Sequence, residues 1–137
     1  MKKILALLLA SFFAINLSAQ EKPVKIVFDV TSDDPKVHQA TIRHVKFMSN
    51  AYDNAEFEVV MYSGSQDMFI KEKSSVAEDL EALAKKDNIT FVACKGTMKR
   101  HKVTDDDLVP GITQVPDGIL EIINKQAEGW GYIKEGQ

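Results

Sequence analysis

Short, nearly unbroken apolar runs alternate with longer segments in which apolar residues return every third or fourth position, and this alternation restricts the chain to crossover units of a parallel sheet. Residues 24–30, 57–62 and 89–94 read as strands. Runs without polar interruption suit strands covered on both faces. In the segment 35–50, Val37, Ala40, His44 and Met48, with Ala51 following, recur at helical spacing. Asp33 or Asp34 caps this helix, and Pro35 takes its first position. Val76, Leu80, Leu83 and Ala84 define the apolar face of a second helix over about 74–86, capped by Ser74 or Ser75. Residues 104–108 form a capped helical turn stopped by Pro110-Gly111. Residues 112–115 make a fourth strand. Asp117 caps a last helix whose Ile119, Ile122, Ile123, Gln126 and Trp130 share a face, and Tyr132-Ile133 add an edge strand. The fold class is therefore α/β with a mainly parallel sheet of about five strands.

The first residues follow a separate logic. Lys2 and Lys3 precede an apolar run over 4–15 and a small-residue exit at Ser18-Ala19, the pattern of a signal peptide cleaved after Ala19. The run is too short to span a bilayer. Residues 1–19 are thus expected to direct export to the periplasm, or secretion, and the mature protein to have no membrane span. No cysteine near the cut offers a lipid anchor. Residues 20–23 read as a short leader, 24–134 as one domain and 135–137 as a tail. The whole chain of 137 residues carries a formal charge of −3, and loss of two lysines makes the remainder more acidic. That balance argues against nucleic acid or an anionic membrane as the main partner.

A single cysteine, Cys94, excludes an intramolecular disulfide. It is either a buried small hydrophobe or a reactive thiol. In open parallel sheets ligands gather beyond the carboxyl ends of the strands, where loops and helix N-termini meet. The residues placed there are Asp33 and Asp34 after the first strand, Ser63, Gly64 and Ser65 after the second, and Cys94, Lys95, Gly96 and Thr97 after the third. Cys94 also precedes Lys95, Lys99, Arg100, His101 and Lys102. Positive charge and a helix N-terminus favour the thiolate, which is the nucleophilic form.

Other constellations carry less. His38 and His44 are six apart and fall on different sides of a helix, and no H-x-x-x-H or C-x-x-C spacing is present, so no metal site is expected. His44 lies on the apolar stripe and is packed or at an interface; His101 is near enough in sequence to serve Cys94 as a base. Asp105, Asp106 and Asp107 are explained by helix capping. Ser63-Gly64-Ser65 matches neither the dinucleotide-binding nor the P-loop signature and reads as a turn. No cofactor is expected.

The strand end Phe91-Val92-Ala93-Cys94, the basic segment 95–102, and the tail from Pro116-Asp117-Gly118-Ile119 to Gly129-Trp130-Gly131-Tyr132-Ile133 together resemble the DsrE/DsrF-like family over about residues 24–134. The resemblance implies a flavodoxin-like three-layer sandwich and a homo-oligomer such as a trimer or hexamer. In the family's sulfur-relay members a cysteine at this strand end accepts sulfane sulfur as a persulfide, and Cys94 occupies the matching position. The family's basic residues six and seven places on correspond to Arg100 and His101, while Lys102 stands where glycine is usual. The leading expectation is a persulfide-carrying or thiol-exchanging protein, a sulfurtransferase-like carrier rather than a hydrolase or oxidoreductase. Cys94 would be its nucleophile, Lys95, Lys99, Arg100 and His101 would hold the thiolate, and sulfur donor and acceptor proteins would be its partners. The alternative is a small-ligand-binding or assembly module in which Cys94 only packs.

Overall fold

The computed structural model describes residues 22–136, and the expected export signal over 1–19 lies outside the described residues. Five strands, β1 (Lys25–Val30), β2 (Glu56–Met61), β3 (Ile89–Cys94), β4 (Thr113–Val115) and β5 (Gly131–Glu135), form one sheet in the order β4-β3-β2-β1-β5. Every pairing is parallel. Five helices connect them: α1 (Pro35–Ala51), the single turn α2 (Gln66–Phe69), α3 (Ala77–Leu83), α4 (Lys95–His101) and α5 (Gly118–Ala127). A 3-10 turn, Ser63–Ser65, precedes α2, and another, Asp105–Asp107, precedes β4.

The strand order accounts for the layers. Crossovers between parallel strands are right-handed, so the direction of travel along the sheet selects the face each helix covers. β1 to β4 advance one way and place α1 to α4 on one face. The return from β4 to β5 runs the other way and places α5 on the opposite face. The result is an α/β three-layer sandwich with unequal layers.

The fuller layer holds the main core. Phe28, Phe57, Phe91 and Met61 from the sheet pack with Ile42 and Val45 of α1, Met68 and Phe69 of α2, Leu80 and Leu83 of α3 and Met98 of α4. Each large side chain buried there contributes roughly 1.5–3 kcal/mol. The layer beneath α5 is thin: Val27, Val60, Val92 and Ile122, with Tyr62, Val115 and Trp130 at the edge. Asp29 and Glu58 are buried on this second side.

Several details differ from the sequence-based expectation. The buried stripe of α1 is Val37, His38, Thr41, Ile42 and Val45, so the expected stripe through Ala40 and His44 is rotated away from the core. The branched side chains of Ile42 and Val45 bury more apolar surface than alanine and histidine and orient the helix. His38 is the buried histidine, bonded through Nε2 to the Ser32 carbonyl at 2.7 Å. His44 is half exposed and pairs with Glu135 at 2.8 Å. α3 is shorter than expected, and Ser74 Oγ accepts the Val76 amide ahead of it. On α5 the sheet-facing residues are Gly118 and Ile122, flanked by half-buried Glu121 and Lys125, whereas Ile119 and Ile123 are exposed. β5 runs through buried Glu135, one residue beyond the expected end of the domain.

Candidate functional site

Because α4 leaves β3 on one face and α5 leaves β4 on the other, a crevice opens between them at the carboxyl edge of the sheet. Such switch points are where open α/β sheets bind ligands. A cleft of about 280 Å³ occupies this position, lined by Tyr62, Ser63, Cys94, Gly96, Thr97, Arg100, Pro116, Asp117 and Ile119.

Cys94 sits at its base as the last residue of β3 and the N-cap of α4. The residue is only 7 % exposed, yet it borders the cleft rather than the main core. Burial acts on the thiol most strongly and pushes its pKa up. The polar N–H groups of Gly118, Thr97 and Gly96 and the Thr97 hydroxyl pull the other way and outweigh it, so the thiol lies below its ordinary value, although the Cys94 side chain makes no capping hydrogen bond to α4. Two helix N-termini thus converge on one sulfur, that of α4 through Gly96 and Thr97 and that of α5 through Gly118.

The neighbouring residues maintain this convergence. The Ser63 amide donates to Thr97 Oγ1 at 2.9 Å, which leaves the hydroxyl proton free to face the sulfur. Asp117 caps α5 by accepting the amides of Ile119 and Leu120 at 2.8 and 3.2 Å. Gly118, the first residue of α5, is not one of the amides that this cap accepts. A Cβ on Gly118 would come within 3.2 Å of the Tyr62 side chain, tighter than an ordinary contact, so a larger residue there requires Tyr62 to give way. Ser63 holds a left-handed φ of 58° at the cleft rim, a conformation that costs a non-glycine residue roughly 1–2 kcal/mol.

Of the cationic residues expected to hold the thiolate, Arg100 lines the cleft. Lys95, Lys99 and His101 are exposed on α4, outside the lining, and the groups that lower the Cys94 pKa most are dipoles rather than these charges. Among the described residues none of Lys95, Lys99, Arg100, His101 and Lys102 is in an ion pair. Ser63, Gly96 and Thr97 line the cleft together with Cys94. Gly64 and Ser65 do not line the cleft: Ser65 is buried and bonds the Val30 and Tyr62 carbonyls. Asp33 and Asp34 also lie outside it, with Asp34 capping α1 by accepting the Lys36 amide at 2.8 Å. Lys102 ends α4 in the left-handed conformation that glycine usually supplies.

Sequence reasoning missed Tyr62, Pro116, Asp117, Gly118 and Ile119 as site residues. Only the Pro-Asp-Gly-Ile string signalled them, and it was read as a helix start. Tyr62 adjoins a polar cluster in which buried Asp29 accepts from the Tyr132 hydroxyl at 2.6 Å and from Lys134 at 3.0 Å. Burial, with Asp29 adding to it, pushes the Tyr62 phenol up to about 12. Among the described residues no cluster of three or more His, Cys, Asp or Glu is placed to hold a metal ion, and no helix is long and apolar enough to cross a membrane.

Fold and site together define a class: a parallel α/β sandwich with a cysteine bordering a cleft at the switch point of its sheet. The chain belongs to the DsrE/DsrF-like family, whose model matches residues 25–134. Among solved structures it is similar to MTH1491 from Methanobacterium thermoautotrophicum, a protein of unknown function, at 28% identity and a TM-score of 0.75, covering 81% of this chain and 98% of that one. It also resembles BT1422 from Bacteroides thetaiotaomicron, a conserved protein of unknown function, at 14% identity and a TM-score of 0.66, covering 80% and 93%. The second likeness concerns the fold alone. No curated protein matches the chain significantly.

Proposed function

We propose that this protein is a sulfane-sulfur carrier whose cargo rides on Cys94. The observation that carries the reading is the place of the thiol, which borders a cleft at the carboxyl edge of the sheet where the starts of α4 and α5 meet. The Cys94 thiolate attacks the terminal sulfur of a donor persulfide, R-S-SH. The new S–S bond gives Cys94-S-SH, the donor S–S bond breaks, and R-S⁻ leaves to take a proton from water. An acceptor thiolate then repeats the exchange and restores Cys94. No net oxidation occurs. In the persulfide anion the charge lies on the outer sulfur, one bond beyond Sγ, so the groups around Sγ favour the attacking thiolate rather than the loaded form.

α4 carries exposed Lys95, Lys99 and Arg100, and α5 carries Ile119, Leu120 and Ile123, which are 57 %, 53 % and 55 % exposed. We assign the basic side to donor and acceptor proteins and the apolar side to contact between copies of the chain. Action after export, in the periplasm, is the setting that the first 19 residues suggest.

Incubation of the protein with polysulfide is expected to add sulfur, seen by intact-mass spectrometry, to the wild type and not to Cys94→Ser. Equal addition to both would end the carrier reading. A second reading, in which Cys94 only packs, draws on its 7 % exposure. It requires that iodoacetamide leave the native thiol unlabelled until denaturation.

A further inference from the structure

The cleft beside Cys94 carries charge of opposite sign on its two walls. One wall is α4, where Gly96, Thr97 and Arg100 share a face at three- and four-residue spacing and all line the cleft. The other wall is the approach to α5, which contributes Pro116, Asp117 and Ile119. Arg100 and Asp117 are exposed, and among the described residues neither is in an ion pair, with the other or with any third group. Asp117 caps α5 through Oδ1 alone, which accepts both the Ile119 and the Leu120 amide. Its second oxygen takes no part in the cap.

These two groups ask for different partners. The guanidinium presents a planar fork of donors that matches a carboxylate, and the open oxygen of Asp117 accepts from an ammonium. A ligand with a single charge finds a counter-ion on one wall and a like charge on the other. A ligand with both charges satisfies both walls. The cleft, at about 280 Å³, falls just under the range of drug-sized sites, so its occupant is of amino-acid size. Tyr62 and Ile119 add apolar surface for the short carbon chain that joins the charged groups to a sulfur atom.

We propose that the cleft admits an α-amino-acid persulfide as a small-molecule sulfur donor, with its carboxylate on Arg100, its ammonium on Asp117 and its outer sulfur against Cys94. The inference rests on Cys94 being a sulfur carrier and adds a loading molecule to it, leaving the exposed Lys95 and Lys99 to protein partners. The Cys94 thiolate attacks the outer sulfur of R-S-SH. A bond forms between Sγ and that sulfur, the donor S–S bond breaks, and the amino-acid thiolate R-S⁻ leaves to take a proton from water. The sulfane sulfur changes carrier, and no external oxidant or reductant is consumed.

The test compares initial rates of sulfur addition to the intact protein, read by mass, from three persulfides: that of L-cysteine, that of N-acetyl-L-cysteine, which lacks the ammonium, and that of cysteamine, which lacks the carboxylate. Each rate is divided by the rate of the same persulfide with free 2-mercaptoethanol, which removes differences in intrinsic reactivity. The wild type is expected to favour L-cysteine persulfide about fivefold over either relative, the upper weight of one exposed ion pair. Arg100→Gln is expected to erase the preference over cysteamine and keep the other. Asp117→Asn does the reverse, and asparagine preserves the cap. Equal normalised rates in the wild type, or a preference that its own variant leaves in place, would overturn the proposal. Two further measurements separate it from the carrier reading: uptake of sulfur from inorganic polysulfide, and binding of S-methyl-L-cysteine to Cys94→Ser, followed by NMR shift changes that Arg100→Gln weakens. Binding without sulfur uptake from any donor retains the amino-acid site and removes the carrier function, and uptake with no donor preference does the opposite.

Discussion

Thr97 links two parts of the cleft through one hydroxyl: its oxygen accepts the Ser63 amide at 2.9 Å, and the same group helps pull the Cys94 thiol below its ordinary value. Thr97→Val keeps the shape, removes one donor to the thiolate and leaves the Ser63 amide unpaired. A hydrogen bond to a charged group contributes about 1.5–3 kcal/mol, so the alkylation rate of Cys94 at pH 7 is expected to fall roughly tenfold or more. The two glycines differ in a similarly local way. A Cβ on Gly96 meets Sγ at 3.5 Å, an ordinary contact, whereas one on Gly118 meets Tyr62 at 3.2 Å. Gly118→Ala is therefore expected to slow alkylation by displacing the start of α5, and Gly96→Ala to change it little; the reverse ranking would remove α5 from the account of thiol activation. Cys94, Gly96, Thr97 and Ser63 stand out in the chain because they sit at or just past strand ends, and Arg100 because it belongs to the basic run that follows Cys94. Tyr62 and Gly118 do not, since nothing in their own neighbourhoods shows that they meet.

Capping governs the helices that frame the cleft. Lys102 closes α4 at a φ of 56° and donates its amide to the Lys99 carbonyl. A residue with a Cβ is strained there, and glycine is not. Lys102→Gly is expected to stabilise the fold by about 1 kcal/mol, measured by urea denaturation, and to leave the thiol profile unchanged. Asp117→Ala acts in the opposite sense. Loss of this N-cap costs about 1 kcal/mol and frays the turn that carries Gly118, so stability and alkylation rate fall together; a fall in stability alone would separate the cap from the thiol. Caps were largely readable from residue type: Asp117 holds α5, Thr104 and Asp107 form a reciprocal capping box, and the pair Asp33 or Asp34 resolves to Asp34. Helix faces were less readable. Ile119, Ile122 and Ile123 look alike in sequence, but only Ile122 meets the sheet, because the helix turns Glu121 and Lys125 toward Glu58.

Across the whole molecule, buried ionisable groups give folding stability a pH profile with a calculable sign. Glu58 rises from 4.5 to about 7 on folding. Between those values the native state binds more protons than the unfolded chain, so stability declines as pH rises from 4.5 to 7. Cys94 is held below 9.0 in the fold and runs the other way, adding stability as pH rises from its folded midpoint toward 9. Melting temperatures measured from pH 5 to 9 are expected to pass through a minimum near neutrality, and Glu58→Gln to abolish the acid-side decline. A decline that persists in Glu58→Gln would assign it to another group. The proposed contact between copies has its own test: Leu120→Glu is expected to reduce the mass observed by sedimentation, and an unchanged mass would remove α5 from that contact. The parallel sheet, its five strands and the thiol at a strand end follow from residue order, because the burial of short runs and the spacing of apolar positions are local properties written into consecutive residues. The meeting of Gly118 with Cys94 and of Lys125 with Glu58 arises only when the return crossover from β4 to β5 lays α5 across the second face, bringing together residues that share no local pattern.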